Sequence, residues 1–140
     1  MEESVKEENT RKKEYLKSYG RAVKERYRLE DEIEQLRLDK MFPSVFLDDM
    51  PHSHNQTDLS GYMARLDDLE RKVRNKIVDN AILRREINMR INLMNDESQK
   101  SILWWRYIKG LAWDQIAKEM HYERETVCRK HGKALINFPL

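Results

Sequence analysis

The chain has 140 residues and a formal net charge of +2, and 37% of its residues are Asp, Glu, Lys or Arg. That length suits one domain, or a small domain with an appended helical element, and the composition leaves too little apolar material for a large core. The single Cys128 excludes an intramolecular disulfide framework and fits a reducing compartment, no apolar run approaches a membrane span, and the opening MEESVKEEN lacks the apolar centre of a secretory signal.

The first element expected is a helix from about Thr10 to Lys40. Tyr15, Tyr19, Ala22, Arg26, Leu29, Ile33, Leu36 and Lys40 recur in alternating steps of four and three, and Leu16, Val23 and Tyr27 widen the stripe. One narrow seam on a charged helix is the pattern of a coiled coil or of half a helical hairpin. The residues do not separate a partner-binding helix, a homodimer seam and half of an intramolecular hairpin; dimerisation is the favoured expectation.

From Met41 to Ser60 the pattern breaks. Pro43, Pro51, Asp48-Asp49 and the run from His52 to Gln56 mark a linker, whose apolar Phe42, Val45, Phe46 and Leu47 suggest that its first half docks on something. His52 and His54 alone, with no third ligand type beside them, do not make a metal site, and no cofactor is expected. Asp58 or Ser60 can then cap a second helix of roughly 30 residues, with Tyr62, Leu66, Leu69, Val73, Ile77, Asn80, Leu83, Ile87, Ile91 and Met94 along one face.

Three short helices follow. Asp96 is a good N-cap, with Gln99 placed to complete a capping box, for a helix Glu97 to Lys109 stopped by Gly110. The next two span about Trp113 to Met120 and Arg124 to Asn137. The expected architecture is therefore all-α: long N-terminal helices over 1–95, with the linker 41–60, then a three-helix helix-turn-helix domain over 96–140. In the pair, Ile116 and Ala117 face inward, Met120 and Tyr122 bracket the turn as core, and Val127, Ala134, Leu135 and Phe138 line the inner side of the last helix. Leu103 and Tyr107 supply the wall from the helix before.

Charge is unevenly spread. Residues 1–40 carry eleven basic and eleven acidic side chains, whereas the last helix has Arg124, Arg129, Lys130 and Lys133 against Glu125 alone. A local cationic face can bind phosphates on a chain of near-neutral total charge. Helix-turn-helix geometry would set Arg124, Glu125, Cys128 and Arg129 against base edges, arginine suiting guanine and glutamate the cytosine amino group. Lys118, Thr126, Lys130, His131 and Lys133 would contact the phosphate backbone. No nucleophile–base grouping, phosphate loop or metal cluster speaks for catalysis.

The pattern Leu103-x-x-Arg106-Tyr107-x-x-Gly110, then Ile116-Ala117, Arg124-Glu125-Thr126-Val127 and Lys133-Ala134-Leu135 resembles the fourth region of primary sigma factors. Together with the charged helical N-terminal half, it is similar to small phage-encoded regulators of the RinA and ArpU type and related streptococcal prophage proteins. The resemblance implies a sequence-specific transcription regulator in the cytoplasm of a bacterial host, at the nucleoid, with double-stranded DNA, a second copy and host RNA polymerase as partners. His121 stands where that turn has Gly, and Glu123 where it has a capping Ser or Thr. Two other functions fit the layout: a small terminase subunit recognising phage DNA for packaging, and a coiled-coil adaptor binding polymerase or a sigma factor.

Overall fold

A computed structural model describes residues 2–42 and 56–140, and every element among them is helical. The helices are α1 (Glu2–Met41), α2 (Gln56–Asn92), α3 (Glu97–Leu103), α4 (Trp113–Met120) and α5 (Arg124–Asn137). The chain forms two compact units, one of Met1–Ala22 with Asn80–Leu140 and one of Val23–Asp79. These units do not divide at residue 95. The first turns of α1 and the last turns of α2 belong with the three short helices, because Leu16, Ile87, Ile91 and Met94 share one buried cluster with Leu103, Tyr107, Leu135 and Phe138.

Helix α1 starts at Glu2, about two turns before the expected Thr10. Glu2 and Glu3 suit the positive end of the helix dipole, so its charged first turns need no apolar stripe to be helical. In the first unit α1 and α2 run antiparallel: Tyr15 donates from its hydroxyl to Glu86 Oε1 at 2.8 Å, and Leu16 and Ile87 are fully buried. The second unit repeats the arrangement on a thinner core. Ile33 and Val73 are its buried apolar residues, flanked by Lys76–Glu25 at 3.1 Å and Arg37–Glu70 at 3.0 Å. The α1 seam is thus used within the chain. Tyr27 and Ile77, assigned to the buried stripes, are exposed at the seam margins instead.

Helix α2 begins at Gln56, ahead of both expected caps. Phe42 is exposed, while Val45, Phe46 and Leu47 and the pair His52 and His54 lie outside the described residues. No described helix is long and apolar enough to cross a membrane, and no group of three or more His, Cys, Asp or Glu among the described residues could hold a metal ion.

Asp96 caps α3 as its sequence position implies, accepting from Gln99 N at 3.1 Å and Ser98 Oγ at 2.7 Å. Gln99 does not close a capping box. Its side chain is buried and its Oε1 accepts from Asn137 Nδ2 at 2.9 Å, tying α3 to the end of α5. The helix expected to run to Lys109 widens into a π-turn over Trp104–Ile108, where Lys109 N–H reaches Trp104 O at 3.1 Å. Gly110 then reverses the chain at φ +71°, a conformation that glycine adopts without strain.

Candidate nucleic-acid interface

The pairing of α4 with α5 rests on four buried residues. Ile102 from α3, Ile116 and Ala117 from α4 and Val127 from α5 form one cluster, with Trp105, Trp113 and Met120 packed at its edge. Ile116 and Val127 are fully buried and Ala117 is 7% exposed, as the inward face of a helix-turn-helix requires. Leu103 and Tyr107 form the expected wall, against the other side of α5.

The turn between the helices is set by the backbone. His121 adopts φ 58° and ψ 39°, the left-handed conformation that its place in the motif demands. Its N–H bonds to Lys118 O, and Tyr122 N–H bonds back to Ala117 O at 3.0 Å, so two of the carbonyls in the last turn of α4 are satisfied. Glu123 follows in extended backbone at φ −75° and ψ 152°, and makes no side-chain cap. Its charge still suits the N-terminus of α5. Tyr122 is not a core residue. It is 39% exposed, with the Lys130 ammonium 5.3 Å from its ring centre.

The four side chains assigned to base edges, Arg124, Glu125, Cys128 and Arg129, are all exposed, on the first turns of α5. Positions i, i+1, i+4 and i+5 make one continuous strip on a helix, opposite Val127 and Ala134. Arg124 is steered by Asp114, a residue outside the sequence motif: its Nη1 lies 3.6 Å from Asp114 Oδ1 at the start of α4. Both groups are largely exposed, so the pair orients the guanidinium more than it stabilises the fold.

The residues assigned to phosphates divide. Lys118 and Lys133 are exposed, and Thr126 is half-buried. Lys130 is turned inward over Tyr122, with its Nζ 3.4 Å from Ser98 Oγ. His131 cannot take the phosphate role: it is 7% exposed, its Nε2 lies 2.8 Å from the Tyr107 hydroxyl, and its ring packs edge-on against Trp113 at 4.5 Å. Burial, aided by the positive charges of Lys13 and Arg106, pushes its pKa down to about 4, and burial raises that of Tyr107 to about 12. His131 is therefore neutral at pH 7. The signal was present in the sequence, since 127, 131, 134, 135 and 138 are one helical stripe.

The Arg-Tyr-x-x-Gly portion of the motif is structural. Arg106 donates from Nη1 to Leu111 O at 2.9 Å and lies over the Trp113 ring at 4.4 Å, holding the π-turn against the start of α4. Trp113, packed between Arg106 and His131, and the Trp104–Trp105 edge-on pair are partly buried packing elements. The resulting surface offers an arginine-bearing helix face held by a rigid three-helix support. No protein-family model matches the chain, and no curated protein or solved structure matches it either.

Proposed function

We propose that the protein is a sequence-specific DNA-binding transcription regulator, of the kind that phages and prophages encode, which inserts α5 into the major groove. The observation that carries this reading is the exposed strip Arg124, Glu125, Cys128 and Arg129 on the first two turns of the helix that follows a left-handed turn at His121. A helix-turn-helix presents that part of its second helix to base edges. The chemistry fits: arginine can bond guanine O6 and N7 together, and a carboxylate accepts from the cytosine amino group. Lys118 and Lys133, exposed on α4 and further along α5, supply phosphate contacts that set register without reading sequence. Lys130 reaches a phosphate only by leaving Ser98, so its contribution is smaller than its charge suggests.

Selection of bound duplexes from a random-sequence pool tests this reading. The expected outcome is enrichment of a short motif containing guanine, with affinity that falls steeply as salt rises. Recovery of an unenriched pool, or no retention of duplex at any salt, would overturn it.

A further inference from the structure

We infer that the outer face of α2 is the contact for a second copy of this chain, joined antiparallel about a two-fold axis that crosses α2 between Arg85 and Glu86. In the first compact unit α2 has two apolar faces. Leu83, Ile87 and Ile91 point into the core with α1 and the short helices. On the opposite side Ile82 is 61% exposed, Met89 62%, and Leu93, just past the helix end, 71%. Residues 82, 85 and 89 are spaced three and four apart, so Arg85 sits between Ile82 and Met89 on one stripe. In a chain of mean hydropathy −0.91, a row of large side chains left this bare is unexpected unless something covers it.

The charges select the occupant and its direction. Two antiparallel copies meeting about residue 85.5 set Ile82 against the partner's Met89 and Met89 against the partner's Ile82. The same register sets Arg85 against Glu86 of the partner subunit, twice. Arg85 is exposed and has no ion pair with any described residue of its own chain. Among the described residues Glu86 uses only Oε1, for Tyr15 at 2.8 Å and Arg90 at 3.5 Å, and Oε2 remains for a partner. A parallel pairing would oppose Arg85 to its own copy, which costs rather than contributes. The α1 seam cannot serve, being occupied by α2.

The pairing does not depend on whether α5 reads DNA, but it would serve that purpose. At 1.5 Å per residue, Asn92 lies roughly 10 Å from the axis, so the two α2 ends stand about 20 Å apart on opposite sides. Each α2 end leads into its own set of three short helices, so the dimer carries two copies of α5.

Sedimentation equilibrium of the full chain under reducing conditions, which keep Cys128 from cross-linking, tests the interface. The wild-type chain is expected at twice its 17.0 kDa. Ile82→Lys with Met89→Lys should raise the dimer dissociation constant at least about 100-fold with unchanged helical circular dichroism. Arg85→Glu alone and Glu86→Arg alone should each weaken self-association, and an equimolar mixture of these two variants should restore it as a heterodimer. A monomeric wild-type chain, a dimer indifferent to the two lysines, or variants whose mixture stays monomeric would overturn the proposal.

Discussion

Lys12 Nζ donates to the carbonyls of Leu135 and Ile136, each at 3.0 Å, so a residue near the start of the chain closes the C-terminal end of the candidate recognition helix. Lys12 is 6% exposed, and the two carbonyls it serves lie in the last turn of α5, where Leu135 O also accepts the N–H of Phe138 at 3.3 Å. A cation there also meets the negative end of the helix dipole. Replacement by Met keeps the aliphatic stem and removes the donor. Lys12→Met should therefore destabilise the unit by about 2 kcal/mol, seen as a lower midpoint in urea. An unchanged midpoint would show that the contact contributes nothing net.

His131 gives the unit an acid-sensitive stability. Its folded pKa, about 4, lies below the unfolded value of about 6.5, so the unfolded chain binds the proton more readily. Stability contributed by the neutral ring is complete above about pH 6.5, falls as the pH drops, and is lost by about pH 4. The expected loss reaches about 3 kcal/mol across that window. Urea unfolding at successive pH values measures it, and His131→Phe, which stays against Trp113, should flatten the slope between pH 6.5 and 4. A wild-type slope no steeper than the variant's would remove the assignment.

Asn80 is 3% exposed on α2, and neither its amide oxygen nor its amide nitrogen has a hydrogen-bond partner among the described residues. An unsatisfied buried amide costs about 1–3 kcal/mol. Asn80→Leu, which keeps the branched shape without the polar atoms, should raise the thermal midpoint by a few degrees. If the variant melts lower, the amide makes a bond in solution that its static surroundings do not reveal.

These residues also show how far the sequence reaches. The helix-turn-helix was legible because its determinants are local: the Ile116-Ala117 pair, the turn at His121, and the stripe through Val127, Ala134, Leu135 and Phe138. The bounds of α4 and α5 follow from the same local signals. Lys12 was not legible, since its acceptors are backbone carbonyls 123 and 124 residues away, and every residue type carries those. The π-turn after Leu103 has no side-chain signature either. Ile102 was passed over because α3 buries neighbouring residues in different clusters, Leu103 toward α1 and α2 and Ile102 toward α4 and α5, which one amphipathic stripe does not anticipate. His131 differs from the phosphate face that its basic neighbours Lys130 and Lys133 suggest, because its helical position places it with the apolar residues.

The role proposed for Arg124 and Arg129 is to read bases. Its most direct test compares affinity for a selected duplex with affinity for random duplex, at fixed salt, in the wild-type chain and in Arg124→Ala with Arg129→Ala. Each arginine that bonds guanine contributes about 1–3 kcal/mol of discrimination, so the double variant should lose roughly 30-fold or more of the preference. Its binding to random duplex should weaken only by the two missing charges, with Lys118 and Lys133 still in place. A double variant that keeps the wild-type preference would show that these arginines do not read bases.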